Sequence, residues 1–128
     1  MSKKADLQLY SQKYMSNLEP VELAFMVVMT TFPDRNQANH IAKVLVEEHL
    51  AACVQIMPSM TSTYMWEEKI CQENEHLVLI KTVAANYEPL VAKLRSQHPY
   101  EVPEIIALPV SAIDDNYAFW IKTMCGHS

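Results

Sequence analysis

A single glycine, Gly126, stands among 128 residues, and this scarcity limits what the chain can fold into more than any motif it carries. Loops that cradle nucleotide phosphates present backbone N–H groups from conformations that glycine adopts without steric cost. The GxGxxG turn of dinucleotide-binding folds, the GxxxxGK(S/T) phosphate loop and the GxSxG nucleophile elbow are all absent. Most doubly wound nucleotide enzymes and α/β hydrolases are thereby excluded. A fold built from strands, helices and glycine-free turns is what is left.

Half of the residues are apolar and 20% are charged, enough apolar surface for one real core. The length suits a single domain, placed at residues 21–128, with residues 1–20 as an N-terminal extension ended by Pro20. The formal net charge is −5, and no cationic run exceeds Lys3-Lys4. Phosphate neutralisation dominates nucleic-acid affinity, so nucleic acid is excluded as a partner. The longest apolar run, residues 23–29, is too short to span a bilayer, and the N-terminus shows no apolar export core. The cysteines Cys53, Cys71 and Cys125 form no CxxC pair. A reduced, cytoplasmic protein is the expectation.

The hydrophobic pattern sets the element order. Residues 23–31 are apolar and partly β-branched without alternation, as in a strand buried on both faces. Asp34 is placed to cap a helix, with Gln37 three residues on. Ala38, Ile41, Ala42, Leu45 and Val46 then form one helical stripe. Residues 53–57 read as a strand ended by Pro58. Residues 61–68 and 77–83 read as the arms of a long hairpin, and Glu67-Glu68-Lys69 and Gln72-Glu73-Asn74-Glu75 give polar turn or edge character between them. Asn86 is expected to cap a second helix, with Pro89 in its first turn and Leu90, Val91 and Leu94 inward. Residues 105–110 form a last strand, whose Pro109 puts it at an edge, and Asp114 or Asp115 opens a short helix. This is an α+β, ferredoxin-like βαββαβ order. Helices cover one face of such a sheet, and large groups such as Tyr64, Trp66, Met65 or Met57 would occupy the other. Self-association is the expected cover.

One segment concentrates chemistry. His98-Pro99-Tyr100-Glu101-Val102-Pro103-Glu104 holds an imidazole, a phenol and two carboxylates between two prolines. The prolines leave the backbone little freedom to lose, so the loop can serve as a rigid ligand cradle or as packing between helix and sheet. His40, His49, His76 and His127 lack convergent partners, and Met57, Met60 and Met65 fit an apolar interface better than a thioether copper site. Cys53 reads as buried and inert. Ser96 has no evident acid partner, and nothing organises an oxyanion site.

The residues 50–54 (Leu-Ala-Ala-Cys-Val) followed by Pro58, the run 61–69 with Tyr64 and Trp66, Lys81-Thr82, the segment 98–104, and Tyr117 with Trp120 together resemble the CutA divalent-cation-tolerance family. The resemblance extends from about Val27 to Trp120. It implies a ferredoxin-like protomer, a homotrimer similar in architecture to the PII signalling proteins, and a non-enzymatic role in tolerance of copper and other divalent metals. In relatives with a proposed copper site the ligands are a Cys late in the first strand, a His opening the His-Pro-Tyr segment and the Glu after its second proline. Here Glu104 matches the last of these, Thr30 stands at the first, and Gln97 at the second with His98 beside it. The resemblance thus makes Glu104 and His98 the metal candidates and copper the candidate ion. The alternative is a PII-like regulator binding a small anion or metabolite in a subunit cleft near Lys81, Tyr100 and Glu101. A minor acid–base enzyme using the same groups is the third reading.

Overall fold

The computed structural model describes residues 24–126. The expected extension at residues 1–20 and His127 lie outside them. In chain order the elements are β1 (Phe25–Phe32), α1 (Arg35–Glu47), β2 (Cys53–Trp66), β3 (Lys69–Val83), a 3-10 turn (Ala84–Asn86), α2 (Tyr87–Gln97), β4 (Ile106–Pro109) and α3 (Asp115–Met124). The four strands form one sheet in the order β2-β3-β1-β4, every pairing antiparallel. This is the ferredoxin-like arrangement that the element order implies.

Period-2 alternation decides what each strand shows to which face. Met26, Val28, Thr30 and Phe32 on β1 and Val78, Ile80 and Thr82 on β3 point to the helices. There the apolar members meet Ala38, Ile41 and Leu45 of α1 and Leu90 and Leu94 of α2 in one buried cluster. A second cluster joins Phe25, Ala52 and Val83 to Ile121 and Cys125, so α3 closes one end of the sheet. Asp34 caps α1 as predicted, accepting a 2.7 Å bond from the Asn36 N–H.

One expectation is corrected and two are borne out in part. Pro58 does not end β2; the strand runs to Trp66 and absorbs the proline in a bulge between Ile56 and Ser59. A bulge lets a strand carry a residue that cannot donate to the ladder. The His76 ring nitrogen Nδ1 reaches the Met57 carbonyl across it at 3.0 Å. The hairpin reverses at Glu67 and Glu68, in the first of the two polar stretches expected to turn, whereas the second, with Glu73 and Glu75, lies within β3. Glu67 and Glu68 take positive φ, 49° and 65°, and His49 does the same at 59° after α1. Where glycine is missing, ordinary residues occupy left-handed positions. Asn86 stands at the N-cap of α2 as expected, but its side chain makes no capping bond. Its amide instead donates to the carbonyls of His49 and Leu50, at 3.0 and 3.3 Å, tying the end of α1 to the end of β3.

Register also shows how far the sheet extends. β1 pairs with β3 only from His76 to Val83, whereas β2 follows β3 out to Lys69. The outer half of the hairpin is therefore a two-stranded arm beyond the four-stranded sheet. Tyr64 and Trp66 lie on the side of the arm that carries Glu75, and Met65 on the opposite side.

Candidate functional site

Pro99 shapes the site first. The residue before a proline is driven out of the α region, and His98 ends α2 with φ −81° and ψ 136°. The chain leaves the helix extended, and the imidazole folds back on the Phe32 ring with centroids 4.3 Å apart. Its Nε2 lies 2.8 Å from the Thr31 carbonyl and 3.4 Å from the Thr30 hydroxyl. Its Nδ1 accepts the Tyr100 backbone N–H at 3.1 Å. A carbonyl only accepts and an amide N–H only donates. The network therefore assigns the proton to Nε2 and the lone pair to Nδ1, in a neutral ring. Burial pushes the His98 pKa below its ordinary 6.5, against the opposing pull of the Thr31 carbonyl and Glu75.

Tyr100 carries the loop onward to β3. Its hydroxyl donates 2.8 Å to Oε2 of Glu75, a residue only 7% exposed. Burial alone would raise the Glu75 pKa, but hydrogen bonds from Ser62, Tyr100 and Thr31, with His98 nearby, outweigh it and hold the carboxyl below its usual 4.5. The Tyr100 phenol is pushed up strongly, by burial and by its bond to Glu75. Next along the arm Tyr64 is raised to about 12, chiefly by its hydrogen bond to Glu73. The site is thus a buried carboxylate held by hydroxyl donors, with a neutral imidazole at its edge.

The residues singled out from sequence divide between places. His98 and Tyr100 come together as described, while Glu101 and Glu104 are exposed on the loop that follows. Thr30 is fully buried, with its hydroxyl 3.4 Å from the His98 Nε2. Gln97 is exposed and lines a shallow groove with Asn36, Gln37, His40 and Ile41. Lys81 pairs with Val27 and Cys53 six residues along β3 from Glu75, about 20 Å at the usual strand rise. Its ammonium sits 5.5 Å above the Tyr117 ring. Within one chain the structure does not bring Lys81 to Tyr100 and Glu101. Among the described residues, no group of three or more His, Cys, Asp or Glu side chains is arranged to hold a metal ion. Cys53 is half-buried rather than buried, and the Ser96 hydroxyl donates to the Lys93 carbonyl.

Sequence reasoning missed Glu75, Thr31 and Ser62. The signal was the spacing of Glu73, Glu75, Leu77, Leu79 and Lys81, a strand pattern continuous with the apolar run. It is obscured because a two-stranded arm can be polar at alternate positions without burying the others.

Comparison with known proteins agrees with this architecture. The family model described as CutA1 divalent ion tolerance protein matches residues 26–124. The divalent-cation tolerance protein CutA of Thermus thermophilus is 42% identical over 100 residues, covering 78% of this chain and 97% of the relative. The crystal structure of CutA1 from Oryza sativa superposes with a TM-score of 0.78 at 35% identity, over 80% of this chain and 94% of that one. A structure from Archaeoglobus fulgidus, described as the periplasmic divalent cation tolerance protein CutA, gives a TM-score of 0.77 at 30% identity, over 79% and 98%.

Proposed function

Because this chain belongs to the CutA1 divalent ion tolerance family, we propose that it acts in tolerance of divalent cations as a non-enzymatic homotrimer. The observation that carries the reading is the double anchoring of the segment 98–104, by His98 on Thr31 and by Tyr100 on Glu75. An acid–base enzyme needs a group free to take and return a proton near neutral pH. Here both ring nitrogens are engaged and the phenol is pushed well above its ordinary range, an arrangement suited to holding a surface in place.

The trimer is supported by what the sheet leaves uncovered. Ile106 and Leu108 on the β4 edge are 47% and 46% exposed, and Trp66 on the arm is 56% exposed. A two-stranded ribbon alone is marginal in water, and apolar surface of this kind is commonly buried between copies. Among the described residues no helix is long and apolar enough to cross a membrane. The three free cysteines suit a reducing compartment, and we place the protein in the cytoplasm.

Copper is the ion the resemblance implies. Thiolate and imidazole are the donors that favour it. The corresponding region offers a buried threonine hydroxyl, an imidazole with both nitrogens occupied and the exposed carboxylate Glu104. That set does not fit a copper centre, so the tolerance role is assigned to the assembled surface rather than to a resident ion.

Growth of a metal-sensitive host under graded copper, zinc and cobalt, with and without the chain, tests the reading; growth indifferent to the chain sinks it. Calorimetric titration with Cu(II) tests the donor argument. Binding tighter than about millimolar that disappears in Glu104→Ala would restore a copper site on this loop.

A further inference from the structure

We propose that His98 is a positioning residue that locks the segment 98–104 to the end of β1, and that it is not a metal ligand in the folded protein. An imidazole ligates through a nitrogen lone pair, and the neutral ring has one, on Nδ1. That lone pair receives the Tyr100 N–H at 3.1 Å, while the proton on Nε2 is given to the Thr31 carbonyl at 2.8 Å. Stacking on Phe32 at 4.3 Å fixes the plane of the ring and the direction of both bonds. Ligation would have to break the Tyr100 bond, leaving a backbone donor unmet beside a half-buried loop, or move the proton and lose the Thr31 bond. The ring instead acts as a bracket, with one nitrogen holding the strand and the other holding the loop that carries Tyr100 to Glu75. This goes beyond the tolerance reading and stands without it, since it concerns the ring and its two backbone partners.

The test uses the full chain labelled with 15N on histidine, first without metal and then with excess Zn(II), a diamagnetic divalent probe. Long-range 1H–15N spectra should show His98 as the Nε2–H tautomer, unchanged by Zn(II). A switch of tautomer or a zinc-dependent shift of either His98 nitrogen overturns the proposal. Variants give a second readout, protection of the Tyr100 amide against hydrogen exchange. His98→Ala should lower that protection at least tenfold. His98→Asn, which supplies an acceptor near the Nδ1 position, should restore most of it. Unchanged protection in His98→Ala, or no recovery in His98→Asn while the core amides of β1 and β3 stay protected, also overturns it. Growth under metal load is a separate measurement, so failure of the tolerance role leaves these spectra as they are.

Discussion

Tyr100 and Glu75 are joined by a 2.8 Å hydrogen bond from phenol to carboxylate across 25 residues of sequence, and the bond fastens the loop after α2 to the hairpin arm. Glu75 is a buried residue, so each hydroxyl that serves its carboxylate replaces water it has lost.

Removing one of those donors should therefore cost more than the mean worth of a hydrogen bond. Tyr100→Phe is expected to destabilise the protein by about 1–3 kcal/mol, because the buried acceptor is left one donor short. A denaturant midpoint equal to that of the parent would show that water takes the place of the phenol.

Acid should loosen the same site in two stages. The folded His98 pKa lies below 6.5, so the unfolded chain binds the proton more readily and stability falls as pH drops through 6.5 towards the folded value. Glu75 is lowered from 4.5; its contribution is present above 4.5 and is lost as pH falls through the folded value. Thermal midpoints measured against pH should decline in both windows. His98→Gln should flatten the upper one and Glu75→Gln the lower.

The hairpin tip gives a prediction of the opposite sign. Glu67 and Glu68 hold φ of 49° and 65°, where a Cβ is unfavourable and glycine is not. Glu68→Gly should stabilise by about 1 kcal/mol, read as a higher melting temperature. An unchanged or lower value would mean that the side chain makes a compensating contact.

Asn86 serves the carbonyls of His49 and Leu50, and Thr82 donates a 2.6 Å bond to the second of these. Asn86→Ala should cost about 1–3 kcal/mol by stranding partly buried acceptors. Hydrogen-exchange protection should fall at the end of α1 before it falls in the sheet.

Leu108 and Ile106 are the exposed apolar pair on the β4 edge. Leu108→Glu combined with Ile106→Glu should drop the light-scattering mass from that of three 14.7 kDa chains to that of one. A parent protein already at the mass of one chain would remove the trimer and the account of the uncovered face with it.

Much of the fold was legible in the residues. The apolar run ending β1, the stripe Ala38, Ile41 and Leu45, and the inward Leu90, Val91 and Leu94 report burial directly, because periodicity is a local consequence of facing a core. Asp34 was legible for the same reason, as capping involves only neighbours. Pro58 misled because whether a proline ends a strand or sits in a bulge depends on the partner strand, and that partner begins eleven residues later at Lys69.

By itself the sequence determined the element order, the helix-facing core and the family to which the chain belongs, all carried by local pattern and by motif order. Only the tertiary structure decided the state of the segment 98–104. Whether His98 offers a lone pair depends on the Thr31 carbonyl and the Tyr100 amide. Whether Tyr100 is a free phenol depends on a carboxylate 25 residues away. Hydrogen bonds between distant parts of a chain leave no period in its sequence, and at this site they fix which groups remain free to act.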